Sequence, residues 1–319
     1  MSIPALGLDR AEAAGAGWRL ALRLATPILL LGLLWNLADG PAALALLGDV
    51  DWRFIALAFA AVHLQTLASA WRWHRVAARL DQSIPPRVAV AEYYLSQVVN
   101  QSLPGGVLGD AARAVRARHQ GGLGMAAKAV LIERMAGQIA MFSLLALALT
   151  GALLAPGGLQ IAVAPRHVAL GGLGLCLLTL AVLFALRAAR QRWPSGFGAA
   201  LRTALLADGA WREQAMLGLL IVALNLASFT LCALATGTVL GIEAMLVLVP
   251  LILCAMLIPA TIAGWGFREG AAAALFPLAG ATATAGLAAS IAFGLVILAA
   301  SLPGLLVLVS KRSSSPHAH

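Results

Sequence analysis

Long apolar runs dominate the chain, separated by short polar or glycine-rich connections. A helix needs about 20 mostly apolar residues to cross the hydrocarbon core of a bilayer. Six runs meet that length: 20–38, 54–71, 135–155, 167–186, 214–236 and 287–309. Two further apolar stretches, 88–113 and 244–282, are interrupted partway. The first is broken by Pro104, Gly105, Gly106 and Gly109, the second by Pro259, Gly264, Trp265 and Gly266. Proline removes a backbone donor and stops a helix, and glycine lets the chain turn. After the second break the apolar run 271–281 has 11 residues. As helix it reaches about 16 Å, roughly half the core. Both interrupted stretches therefore read as re-entrant hairpins.

Composition agrees with a membrane-embedded chain. Of 319 residues, 61% are hydrophobic and only 11% charged, against about a quarter charged in soluble domains. The net charge of +9 forms no basic stripe interleaved with aromatics, so nucleic acid is not an expected partner. It reads instead as arginine holding cytoplasmic loops on the inside. Cys176, Cys232 and Cys254 lie in apolar runs without metal-type spacing and read as packing residues. No metal or cofactor is expected. Although Arg10, Arg19 and Arg23 precede the first run, no clear cleavage site follows it, and it reads as a retained anchor rather than a signal peptide.

Loop charges set the orientation. Lys and Arg number three in 1–23, one in 39–53, four in 72–87, five in 113–134, one in 156–167 and five in 187–213. None falls in 237–243, and Lys311 and Arg312 close the chain. The counts place 72–87 and 113–134 on the same side, so 88–112 enters and returns without crossing. The expected fold is an all-α polytopic membrane protein built from two inverted-topology repeats, each of three transmembrane helices plus one re-entrant hairpin. A cytoplasmic segment 1–19 precedes the first repeat, 20–155 with hairpin 88–113. The second repeat, 156–310, carries hairpin 244–282, and 311–319 forms a cytoplasmic tail. The frame Pro-x-x-Val-x-Gly-x-x-x-Arg, Pro104 to Arg113, returns as Pro-x-x-Ile-x-Gly-x-x-x-Arg, Pro259 to Arg268. Such repeats place broken helices near the midplane, and irregular backbone survives there only when buried or lining a wet cavity.

Charges within membrane segments are costly and usually have a partner and a role. Asp110, Arg113, Glu133, Arg134, Arg268 and Glu269 are the candidates. Arg268 and Arg113 each offer a planar fork for a phosphate. Glu269 would balance the one or meet a cationic headgroup, and Asp110, a turn earlier on the same helix face, would balance the other. A purely structural role is open for each: a buried pair locking the second hairpin, or a basic surface helix of Arg113, Arg116 and Arg118. Glu133 and Arg134 open the third span, where an interfacial salt bridge is the ordinary explanation. Asn100, Gln97 and Gln101 place amides just before the first bend. Tyr93 and Tyr94 suit an interfacial belt, and His63 a packed, hydrogen-bonded position.

Three motifs add a resemblance. Asn-x-x-Leu-Pro-Gly-Gly-x-x-Gly-Asp-x-x-Arg at 100–113, Glu133-Arg134, and Gly-Trp-Gly-Phe-Arg-Glu-Gly at 264–270 resemble the flippase-like membrane family that includes the transmembrane part of bacterial lysylphosphatidylglycerol synthases. The resemblance covers about 20–310. It implies an inner-membrane protein that translocates an anionic phospholipid or a polyprenyl-phosphate-linked intermediate between leaflets. It also marks Asn100, Pro104, Gly105, Gly109, Asp110, Arg113, Glu133, Arg134, Gly264, Trp265, Gly266, Arg268 and Glu269 as matching positions. The aminoacyl-transferase domain of full-length synthases has no counterpart here, so lysyl transfer is not expected. Two alternatives stay open: a membrane-embedded transferase, or a subunit supporting a glycosyltransferase or lipid-modifying partner.

Overall fold

The computed structural model describes residues 25–103, 106–154, 196–257 and 261–313. Segment 1–19, the expected span 167–186, and Pro104, Gly105 and Pro259 lie outside the described residues. Among the described residues every regular element is a helix: α1 (Ala25–Leu37), α2 (Gly40–Gly48), α3 (Trp52–Ala78), α4 (Pro86–Ser102), α5 (Leu108–Arg116), α6 (Leu123–Leu154), α7 (Phe197–Leu205), α8 (Ala210–Ala235), α9 (Ile242–Ala255), α10 (Phe267–Leu275), α11 (Ala283–Ser301) and α12 (Pro303–Ser313).

Four stretches are long and apolar enough to cross a membrane: Trp52–Ala78, Leu123–Ala152, Ala207–Ala235 and Ala283–Val309. The run expected as the first span, 20–38, is described from residue 25. Its helix α1 turns by 92° into α2. Asp39 makes the corner with a left-handed backbone (φ 52°), and its carboxylate accepts from Ala42 N at 3.2 Å. Pro41 then opens α2, a position where its fixed φ and missing N–H suit a new helix. Two other boundaries move. Helix α3 continues to Ala78, so Arg72 lies within it rather than in a loop. Helix α6 starts at Leu123, so Glu133 and Arg134 sit well inside it instead of opening it.

The interrupted stretches each give two helices packed on one another, α4 on α5 and α9 on α10. The connections use left-handed backbone at Gly106 (φ 60°), Gly264 (φ 77°) and Gly266 (φ 90°). Helix α4 also packs on α3 and α12, and α10 on α11.

Helices α3 and α8 form the broadest contact of the bundle, joining the two halves of the chain. Beside them Phe229 meets Phe293 edge-on at 5.2 Å and Phe276 at 6.3 Å. Small residues fill much of the buried helix faces, as in Ala58, Ala61, Ser69 and Ala70 of α3, and Ala285, Ala288, Ala289 and Ala292 of α11. Large apolar side chains point outward instead, among them Leu147, Leu154, Met216 and Leu219. Lipid tails are as apolar as leucine, so helix association in a membrane relies on close approach through small residues.

Candidate functional site

A cavity of about 330 Å³ opens between the two halves. One wall is polar and comes from the first half. Gln65, Ser69 and Arg72 share a face of α3 at helical spacing, as do Ser96, Gln97, Asn100 and Gln101 on α4. Asp110 of α5 and Glu133, Arg134 and Gln138 of α6 complete that wall. The facing wall is mainly apolar: Ile221 and Val222 of α8, Leu253 and Met256 at the end of α9, and Phe293 and Ile297 of α11. Asn225 is its polar exception.

Five charges form one network along the polar wall. Glu133 accepts from Arg72 Nη2 at 2.7 Å and Nε at 3.2 Å, from Arg113 Nη2 at 3.3 Å, and from the Tyr93 hydroxyl at 3.3 Å. Asp110 accepts from Arg113 Nη2 and Ser96 Oγ, both at 3.0 Å, from Asn100 Nδ2 at 3.2 Å, and from Arg134 Nη2. Arg134 also reaches the Gly106 carbonyl at 3.4 Å. Three guanidinium groups therefore meet two carboxylates, an excess of one positive charge. Buried ions are tolerable only when paired and hydrogen-bonded in this way.

The bend of the first hairpin is shaped for this network. Asn100 Oδ1 accepts from Gly109 N at 2.8 Å. A Cβ on Gly109 would lie 2.1 Å from the Ser96 carbonyl oxygen, so only glycine lets α5 approach α4 closely enough for Asp110 to reach Ser96 and Asn100. The glycine-rich sequence thus sets the distance, and the distance sets the ion pairs.

Access differs sharply among the arginines. Arg113 is fully buried, its guanidinium carbon 4.5 Å from the Trp73 ring centre and 4.4 Å from that of Tyr93. Cations bind aromatic faces favourably, the more so when desolvated. Arg113 therefore clamps α5 to α3, α4 and α6 and does not line the cavity. It is also no part of a basic surface helix. Arg116 pairs instead with Glu92 at 2.5 Å, and Arg118 donates to the Val115 carbonyl. Arg134 is the accessible member, its side chain 38% exposed. Arg72 lines the cavity from a buried position, and its Nη1 has no acceptor among the described residues.

Arg268 and Glu269 form a separate, sealed cluster. Glu269 accepts from Gly266 N at 2.6 Å and from Arg268 Nη2 at 2.5 Å, while Ser290 of α11 bonds both side chains. Trp265 and Phe293 flank the guanidinium at 5.0 and 5.5 Å. A Cβ on Gly294 would sit 2.3 Å from Arg268 Nη2, so this glycine makes the space that the guanidinium fills. Both charges are buried and neither lines the cavity. In this position the pair fastens the start of α10 to α11. Arg134 and Arg72 lie at the cavity, and Arg113 and Arg268 lie behind its walls.

Several positions escaped the sequence reading. Ending the second span at 71 assigned Arg72 to a loop, although Gln65, Ser69 and Arg72 recur at four and three residues, a polar stripe on one helix face. Gln138, four residues after Arg134, carried the same signal on α6. Nothing local marks Asn225 out. Among the remaining positions, Tyr94 meets His63 Nδ1 at 2.7 Å, and Cys232 and Cys254 are free thiols.

A family model described as the lysylphosphatidylglycerol synthase TM region matches residues 19–304. The chain belongs to that family. With its several apolar spans, this member of the lysylphosphatidylglycerol synthase TM-region family is an integral membrane protein. The match includes every residue named around the cavity. No curated protein matches the chain.

Proposed function

We propose that the protein moves a phosphate-bearing anionic lipid between the leaflets of a bacterial cytoplasmic membrane. The headgroup occupies the cavity, and both chain termini face the cytoplasm. The observation that carries this reading is the amphipathic cavity with its excess positive charge. A lipid phosphate supplies the missing anion. Arg134 offers it an accessible planar fork, and Arg72 Nη1 offers a buried donor that lacks an acceptor. The apolar wall from α8, α9 and α11 suits the glycerol backbone and the start of the tails. At about 330 Å³ the space lies near the lower end of ligand pockets, ~300–1,000 Å³, so it takes a headgroup while the tails stay in the bilayer. In this reading the two interrupted stretches are re-entrant hairpins of mirror-related repeats, 20–155 and 156–310. Asp110, Glu133 and Asn100 hold the arginines in place.

A membrane-embedded transferase would need Asp110, Glu133 or Glu269 as general base. Each of these carboxylates is already engaged by at least one guanidinium, which favours transport. The test is headgroup accessibility in proteoliposomes reconstituted with labelled anionic lipid. Arg134→Gln should slow exchange between leaflets at least about ten-fold, the cost of about 1.4 kcal/mol, while the protein stays folded. Equal rates for wild type and variant would remove the site from this cavity.

A further inference from the structure

The connection between α3 and α4 builds a second pocket, apart from the cavity between the two halves. It measures about 480 Å³, within the ~300–1,000 Å³ of ligand pockets. Helix α3 has 27 residues, more than the about 20 that cross a hydrocarbon core, so its end and this connection stand in water. We infer that the pocket binds a small water-soluble organic cation: an ammonium group on an alkyl chain that also carries an amide, as in an acylated diamine.

The end of α3 makes the lining. Asp81 takes a left-handed backbone (φ 59°). Its N–H donates to the Ala78 carbonyl at 3.2 Å, and that of Gln82 to the Ala77 carbonyl at 3.0 Å. Glycine usually makes such a helix stop, whereas here the turn carries a carboxylate. His74 Nδ1 lies 2.7 Å from the Ile84 carbonyl oxygen and ties the connection back to the helix. A carbonyl only accepts, so Nδ1 carries the proton, and Nε2 of the neutral ring is an acceptor.

Charge and hydrogen bonding then select the ligand. Asp81 is the one carboxylate in the lining among the described residues, and no Lys or Arg shares it. Arg75 and Arg79, near the same helix end, turn to Glu213 and the Ala207 carbonyl. Asp81 therefore has no ion-pair partner among the described residues, and an ammonium supplies one. Gln82 also lines the pocket and is 1% exposed. Both its amide oxygen and its amide nitrogen lack a partner among the described residues. Buried polar groups left unpaired are costly, and an amide on the ligand brings the matching donor and acceptor. Ile84, Pro85 and Pro86 give the alkyl chain an apolar wall.

The experiment titrates the purified full chain in detergent by isothermal calorimetry. The ligands are N-acetylputrescine, N-butylacetamide, which lacks the ammonium, and butylamine, which lacks the amide. N-acetylputrescine should bind at least about ten-fold more tightly than either fragment. Asp81→Gly suits the left-handed turn, so the unfolding midpoint should not fall, while N-acetylputrescine should drop to the affinity of N-butylacetamide. Gln82→Met, of similar shape, should drop it to the affinity of butylamine. Arg134→Gln, which acts on the lipid cavity, should leave all three titrations unchanged, so the pocket and the lipid site stand or fall separately. If N-acetylputrescine binds no better than its fragments, or if Asp81→Gly leaves its affinity unaltered, the inference is overturned.

Discussion

Glu133 is the carboxylate on which the polar wall depends most, because it alone joins Arg72 to Arg113. Both arginines and Glu133 itself are buried. Glu133→Gln keeps the shape but removes the charge, leaving three guanidinium groups against Asp110 alone. The local excess rises from one positive charge to two. A contact pair at about 4 Å interacts by about 4 kcal/mol at an effective dielectric near 20, and Glu133 engages two such partners. The remaining charges rearrange and admit water, so the expected loss is that of breaking one buried pair, about 3–5 kcal/mol. Arg72→Met added to Glu133→Gln returns the excess to one and replaces the stranded cation with an apolar side chain of similar length. The double variant should recover most of the loss, since replacing a whole buried pair is often close to neutral. Thermal unfolding in a single detergent, followed by tryptophan fluorescence, reads both effects. An unaltered midpoint for Glu133→Gln, or a double variant no better than the single, would refute the charge-balance reasoning.

Other expectations follow from contacts described above. Gly109→Ala places a methyl 2.1 Å from the Ser96 carbonyl oxygen, so α5 must retreat from α4. Lipid exchange should fall by at least about ten-fold, the equivalent of about 1.4 kcal/mol, and a cross-link between cysteines at 96 and 110 should form more slowly than in the Gly109 background. Gly294→Ala meets Arg268 Nη2 at 2.3 Å and the Trp265 ring at 2.8 Å. Overpacking of this kind costs about 1–3 kcal/mol, visible as a lower unfolding midpoint. Ser290→Ala removes one hydroxyl from the Arg268–Glu269 cluster and should cost about 1 kcal/mol with little effect on lipid binding, because that cluster lies outside the cavity lining. A large binding defect with normal stability would place it inside the functional site.

The helical class and most of the long apolar spans were legible because transmembrane length is a one-dimensional property. The close partnership of Asp110 with Arg113 was legible for the same reason, since spacing of three residues on a helix fixes proximity. Facing direction was not legible. Arg113 and Arg268 read as ligands because a charge inside a membrane needs a reason. The structure places Trp73 and Tyr93 around one, and Trp265, Glu269 and Ser290 around the other. Trp73 lies 40 residues from Arg113, and no local pattern announces that contact. Glu133 and Arg134 show the reverse case. Adjacent in sequence and opposite in charge, they read as a pair, yet successive helical positions point about 100° apart, and each finds its partner elsewhere. The corner at Asp39, just past the end of the expected first span at 38, is written in Asp-Gly-Pro.

The cavity is a seam: one half of the chain supplies its wet side and the other half its dry side. Its width is a distance between neighbouring helices, not a property of any single segment. Solvents that loosen lateral packing should therefore empty it before a single helical turn is lost, with far-ultraviolet dichroism intact and the bound lipid already gone.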